Sequence, residues 1–344
     1  MVESIASPNG IFLTSDVRRL DADPRQLGHA VARGELVRIH RGAYVRSDEW
    51  RALDAAQRYR RRVIAAARAS RSRPILSHQS AAAFWGVPTT GDTTHLVHVL
   101  TTPMAGTRTE NGFRRHAAEI ANDDVVEHDG VRVTSFRRTL IDLARDTPFA
   151  SAVVSLDWSL RPLRKDLPPR VRIDELQEYF DAQPGERFRR RVHRALEFAS
   201  PRSESPGESL SRATLHELGF PAPVLQLEVR DGRGLIGTCD FAWPEFGLLG
   251  EFDGRAKYTR DMVRPGENVE EIVVREKIRE DRMRATGRGM ARWLWSEALQ
   301  PALLRDKLVA AGLPIRRSGP VRITPGRIGG PEAPFRPGIQ KPGQ

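Results

Sequence analysis

Apolar positions along the chain fall into three blocks with different periods. In the first, which runs to about Ser47, Thr14-Ser15-Asp16 stands where a helix cap would, ahead of Val17-Arg18-Arg19-Leu20. Asp23 caps a second predicted helix, with Pro24 at its first position and Gly34 just past its end. Leu27, Ala30 and Val31 form the apolar face of that helix, while Arg25, His29 and Arg33 recur at i, i+4 and i+8 on another face. Leu36-Val37-Arg38-Ile39-His40 reads as a strand, Arg41-Gly42 as a turn and Ala43-Tyr44-Val45 as the returning strand. Two helices and a small hairpin make the order of a winged helix-turn-helix, an architecture that reads DNA. It assigns DNA contacts to Arg25, His29 and Arg33 on the helix, and to Arg38 and Arg41 on the wing.

The second block runs from about Trp50 to Ala199. A basic helix is expected from Trp50 to Ser70, with Arg58, Arg60, Arg61 and Arg62 clustered. Ser77 caps a helix from His78 to Trp85, stopped by Gly86 and Pro88. Strands are expected at His95 to Leu100, around Arg114-Arg115-His116, and at Gly130 to Thr134. Ser135 caps Phe136 to Arg145, and further helices cover about Phe149 to Leu160, Ile173 to Ala182 and Glu186 to Ala199. His78, His95, His98, His116 and His128 are scattered without metal-ligand spacing, so they read as structural or surface histidines.

The third block starts at Ser203. A helix (Pro206 to Leu218) precedes three strands: Pro223 to Val229, Thr238 to Trp243 and Leu248 to Phe252. A basic helix (Glu270 to Ala285), a strand (Met290 to Trp295) and a last helix (Glu297 to Ala311) follow, giving the order αβββαβα. From Leu313 onward Pro, Gly and Arg dominate and the apolar period stops, as in a disordered tail.

Composition adds an electrostatic bias. The chain has 344 residues, enough for two or three domains, and a formal net charge of +11. That balance favours a polyanionic partner, nucleic acid first and an anionic membrane second, and with a winged helix the nucleic acid expected is double-stranded DNA. The lysines are Lys165, Lys257, Lys277, Lys307 and Lys341, so arginine carries nearly all the positive charge, which codon bias would also produce. Cys239 is the only cysteine, which excludes intrachain disulfides and zinc fingers. No run of about 18 apolar residues crosses a membrane. Met1-Val2-Glu3-Ser4-Ile5-Ala6 lacks the features of a signal peptide, and the expectation is a cytoplasmic protein.

The chemistry concentrates in the third block. Strand alternation puts Asp240 on one face with Thr238 and Ala242, and Cys239, Phe241 and Trp243 on the other, toward the core. On the next strand Glu251 and Asp253 share a face, so two antiparallel neighbours would gather three carboxylates. Such acids repel one another, and a divalent cation relieves the cost. Few hard oxygen ligands suit Mg²⁺ (or Mn²⁺), which can activate water at a scissile phosphate. Gly254 allows close backbone approach, and Lys257 is either a charge stabiliser for that phosphate or an ordinary surface lysine. Ser205-Pro206-Gly207-Glu208 fits a capping box, and Glu208 could equally complete the metal site. Arg275, Arg279 and Arg282 form a stripe on the basic helix beside Lys277 and Arg284, and the interleaved acids Glu276, Glu280 and Asp281 offer them salt bridges.

These residues carry two resemblances. Glu208 at a Ser-rich helix start, Gln226 in Val224-Leu225-Gln226, Thr238-Cys239-Asp240-Phe241-Ala242-Trp243-Pro244, and Glu251-Phe252-Asp253-Gly254 with Lys257-Tyr258 resemble the DUF559, very-short-patch-repair-like branch of the PD-(D/E)XK nucleases. The resemblance implies Asp240 and Glu251 as catalytic metal ligands, Glu208 as the helix-borne acid, and Gln226 near the site. It also exposes a departure: Asp253 stands where the motif has lysine, and Lys257 or Lys277 would have to replace it. Gly10-Ile11-Phe12-Leu13-Thr14 and Gly34-Glu35-Leu36-Val37-Arg38-Ile39-His40-Arg41-Gly42-Ala43-Tyr44 resemble the winged-helix domain of AbiEi-type antitoxins, modules that bind promoter DNA.

The fold expected is therefore α/β (α+β) and multidomain. A winged helix-turn-helix spans 1–48, a mixed α/β antitoxin-like region 49–200, a restriction-endonuclease-like αβββαβ domain 201–312 and a disordered tail 313–344. The function expected is a DNA-binding, Mg²⁺-dependent endonuclease of defence or toxin–antitoxin biology, with a nucleotidyltransferase-like toxin as possible partner. The alternatives are a non-catalytic antitoxin regulator with an inactive nuclease fold, and an interaction domain that uses the fold as scaffold.

Overall fold

The N-terminal helices and hairpin form where the hydrophobic pattern places them. The computed structural model describes residues 10–91, 96–164, 167–183, 188–254 and 269–315. His95, Lys257, Tyr258 and the tail from 316 lie outside the described residues. Strand β1 (Phe12–Leu13), helices α1 (Thr14–Arg19) and α2 (Arg25–Ala32), and strands β2 (Leu36–His40) and β3 (Ala43–Arg46) come first. The strands form an antiparallel sheet in the order β1-β3-β2. Phe12, Val17, Leu27, Ala30 and Leu36 close a small core, with Val31 and Tyr44 against it. Helix α1 begins on Thr14 itself, with no side-chain cap. Helix α2 starts one residue later than expected, with Pro24 and not Asp23 at its N-cap, although Asp23 Oδ1 still accepts from the Arg25 N–H at 2.9 Å. Gly34 adopts φ +76° just past α2, the left-handed turn that glycine tolerates best.

The middle region carries α3 (Ser47–Ala52), α4 (Ala55–Ala69), β4 (Ile75–Leu76), α5 (His78–Trp85), β5 (Val97–Thr101), β6 (Arg108–Glu110), β7 (Phe113–Ala117), β8 (Val125–His128) and β9 (Val131–Thr134). Helices α6 (Phe136–Asp146), α7 (Phe149–Leu160), α8 (Ile173–Asp181) and α9 (Arg189–Phe198) complete it. The single basic helix expected from Trp50 to Ser70 is two helices. Asp54 breaks it with a full capping box, accepting from Gln57 N at 2.8 Å while its own N–H reaches Gln57 Oε1 at 3.0 Å. The arginine cluster of α4 is largely committed within the protein: Arg58 donates to Trp50 O and Arg51 O, and Arg61 pairs with Glu49. Six strands form a mixed sheet, β6-β7-β5-β4-β9-β8. Of the five histidines expected to be scattered, His78, His98 and His116 converge, because α5, β5 and β7 meet there.

The last region follows the expected order: α10 (Pro206–Glu217), β10 (Val224–Asp231), β11 (Gly234–Trp243), β12 (Leu248–Asp253), α11 (Val269–Ala285), β13 (Gly289–Leu294), α12 (Trp295–Ala298) and α13 (Pro301–Ala310). The final helix is split, because Pro301 starts a new helix rather than continuing one. The sheet runs β10-β11-β12-β13, antiparallel except for the parallel β12–β13 pair, which α11 connects. One face packs Phe241, Trp243, Leu248, Phe252 and Trp293 against Leu210 of α10 and Leu304 of α13. The other packs Cys239, Ala242 and Leu249 against Met283 of α11. A buried pair joins this region to the middle one: Arg212 of α10 donates to both carboxylate oxygens of Asp157 of α7, each at 2.9 Å.

Among the described residues, no helix is long and apolar enough to cross a membrane.

Candidate functional site

Two surfaces answer to the residues singled out in the sequence. In the N-terminal unit Arg25, His29, Arg33, Arg38 and Arg41 are all exposed. Arg33 is less available than its position suggests, since its guanidinium grips Glu35 at 2.7 and 3.0 Å. Glu35 lies between the expected helix and strand and belongs to neither, so no periodic pattern points to it.

The acid site lies on α10, β10, β11 and β12. The β11–β12 pairing runs from Trp243↔Leu248 to Phe241↔Gly250, so the same register continued sets Asp240 opposite Glu251. The Asp240 carboxylate accepts from the Phe252 N–H at 2.9 Å, taking a backbone donor of the neighbouring strand. Alternation does not hold throughout this stretch. Cys239 packs with Ala242 rather than with Phe241 and Trp243, so its expected place in their core is wrong. Gln226, which faces Asp240 along the β10–β11 register, has φ +55°, a local distortion of the neighbouring strand.

Glu208 is buried at the start of α10. Ser205 caps the helix, accepting from Glu208 N at 3.2 Å. The return contact of the expected capping box is shifted: Glu208 accepts from Ser205 Oγ at 2.7 Å and from the backbone N–H of Glu204, not Ser205, at 2.7 Å. Gln226 Nε2 donates to the same carboxylate at 3.0 Å. Burial and then the charge of Asp240 push the Glu208 carboxyl up to about 7. Gly207 is required beside it, because a Cβ there would lie 2.0 Å from the Phe252 ring.

Glu251 is neutralised from the protein itself. Arg279 of α11 donates to its Oε1 at 2.5 Å, and Arg292 of β13 to its Oε2 at 2.8 Å. Arg279 also reaches Thr238 O and Glu276, and Arg292 lies 3.6 Å from Glu276 and Glu280. Arg282 grips Asp231 with two bonds of 2.8 and 2.9 Å. Two of the three stripe arginines therefore tie α11 to the sheet. Arg292 has no signal in the sequence. Its parallel pairing with Glu251 brings it to the site from a distant strand, and no local pattern carries that. Asp253 and Gly254 are half-buried at the end of β12, and Lys277 is exposed on α11.

The carboxylates fit a cation in part. Glu208 and Asp240 are close enough for one charge to raise the other's affinity for protons, which a shared cation would reverse. Glu251 has both oxygens held by guanidinium groups.

A family model described as "Transcriptional regulator, AbiEi antitoxin" matches residues 1–47. Two uncharacterized proteins from two strains of Mycobacterium tuberculosis are each 30% identical to the chain over 132 residues. Those matches cover 37% of this chain and 46% of each relative, so the chain aligns with less than half the length of either.

Proposed function

We propose that the chain is a DNA-binding transcriptional regulator of the toxin–antitoxin kind, holding duplex DNA through its N-terminal winged helix. The observation that carries this reading is the helix–helix–hairpin of residues 12–46, with Arg25, Arg38 and Arg41 exposed, inside the segment that matches the AbiEi antitoxin family. Arginines on a helix and an adjoining wing give the charge and the shape to straddle a groove and its phosphates. A nucleotidyltransferase-like toxin is the partner in this reading. Fluorescence anisotropy of the full chain with duplex DNA from its own upstream region tests it. Arg38→Ala with Arg41→Ala weakens binding at least tenfold, and unchanged affinity would reject the winged-helix interface.

A second reading, Mg²⁺- or Mn²⁺-dependent endonuclease, is favoured by the burial of Glu208 beside Asp240. Glu208 and Asp240 would hold the ion, which supplies an activated water and charge stabilisation at the phosphate. Gln226 orients Glu208, and Glu251 joins only if it exchanges Arg279 and Arg292 for the ion. Lys257 or Lys277 would serve as the site's lysine. Plasmid incubated with Mg²⁺ or Mn²⁺ is cut by the parent protein and not by Asp240→Asn. Equal or absent cutting by both leaves the regulator alone.

A further inference from the structure

The middle region holds a second cluster of chemically distinct ligands. His78 opens α5, His116 lies on β7 and Asp146 ends α6. One ligand atom from each lies within 4.8 Å of the other two. His78 Nε2 stands 2.8 Å from Asp146 Oδ2, and His116 Nδ1 stands 3.7 Å from the same oxygen. The two rings stack, centroids 3.6 Å apart and 14° from parallel, which sets their nitrogens side by side near the Asp146 carboxylate.

Each imidazole is held from behind. His116 Nε2 meets His98 Nδ1 at 3.0 Å, and His78 Nδ1 meets Ser77 Oγ at 3.0 Å. An outer partner on the far nitrogen is how metal-binding histidines are oriented and fixed in one tautomer. With His116 protonated at Nε2, His98 accepts at Nδ1 and His116 Nδ1 is left with a bare lone pair toward Asp146.

Two further features set the place apart. Asp146 is the last residue of α6, where the negative end of the helix dipole opposes a carboxylate. His78 sits at φ +48°, a left-handed conformation that few non-glycine residues adopt. Asp146 is 39% exposed while His78 and His116 are 5% and 13% exposed, so the cluster opens to solvent on one side.

We propose that His78, His116 and Asp146 bind one divalent transition-metal ion of the zinc class, with His98 and Ser77 as its outer partners and a fourth position open to water. Two nitrogens and one carboxylate oxygen are a zinc-type set with an open site, unlike the all-oxygen set of Glu208 and Asp240. Zinc bonds of about 2.0–2.1 Å put tetrahedral ligands about 3.3 Å apart. The separations of 2.8 and 3.7 Å at Asp146 bracket that value, and the two rings tilt out of their stack to bring both lone pairs onto the ion.

Tag-free full-length protein, stripped with EDTA, is titrated with Co²⁺ and Zn²⁺. The parent protein and Asp240→Asn are expected to take one equivalent of Co²⁺ with the visible absorption of a four-coordinate nitrogen–oxygen site, and Zn²⁺ displaces it. Affinity falls at least 100-fold in His116→Gln and in Asp146→Asn, and about 10- to 100-fold in His98→Gln. Asp146→Asn is isosteric at a partly exposed position, so it keeps the metal-free circular dichroism and melting temperature of the parent if His116→Gln does not. Absence of the Co²⁺ band in the parent, or undiminished binding in Asp146→Asn, overturns the assignment.

Discussion

Glu208 shows how much one carboxyl can set. Its carboxyl, ordinarily near 4.5, is held at about 7 by burial and by Asp240. Below about pH 4.5 the folded and unfolded chains both bind this proton, and it contributes nothing to pH dependence. Between about 4.5 and 7 the unfolded chain releases it first, so stability falls as pH rises, and the penalty is complete above 7. The loss is on the order of 3 kcal/mol. Urea unfolding in EDTA, followed by the fluorescence of Trp243 and Trp293, should therefore show lower stability at pH 8 than at pH 5, with most of the difference gone in Glu208→Gln. An unchanged difference in the variant would refute the buried-acid account. Ser205 and Glu208 are legible in the sequence as a helix start, because capping chemistry is local. The arginines on Glu251 are only half legible: Arg279 stands in a stripe, while its bond to the sheet requires the tertiary fold.

At the scale of elements, long periodic segments are legible and short ones are not. Helix α7 has the expected bounds, Phe149–Leu160, since apolar spacing over three turns leaves little choice. Strands β4 and β6, of two and three residues, are too short to carry a period. The histidine cluster escapes sequence reading for a related reason, as its members sit on separate elements that only the six-stranded sheet brings together. The α7–α10 contact is another case. Asp157 is fully buried, and burial raises its proton affinity despite the Arg212 guanidinium and the Ser200 N–H at 2.7 Å. Asp157→Ala leaves Arg212 buried without its partner and should cost about 3–5 kcal/mol in chemical denaturation. Asp157→Leu with Arg212→Met should cost much less. A loss under about 1 kcal/mol for Asp157→Ala would show that the pair is not what docks the two helices.

For the molecule as a whole, +11 overstates the charge free to meet a polyanion. Arg279, Arg282 and Arg292 are held by acids of their own unit, whereas Arg38 and Arg41 stand exposed on the wing. Removing one cation from a DNA phosphate lowers the slope of log K against log salt by about 0.9. Arg38→Ala with Arg41→Ala should therefore flatten that slope by about 1.8, and Arg282→Ala should leave it alone. Equal flattening by both would mean that net charge, rather than the winged helix, governs binding.

The two guanidinium groups on Glu251 also set an order of assembly during synthesis. Arg279 follows Glu251 by 28 positions and Arg292 by 41. At about 5–20 residues per second, the ribosome delivers the second arginine about 2–8 s after the acid. Through that interval Glu208, Asp240 and Glu251 are on the nascent chain without the cations that hold Glu251 in the finished sheet, and β12 lacks its parallel neighbour β13. The C-terminal unit therefore closes last, after the N-terminal helices and hairpin have been made.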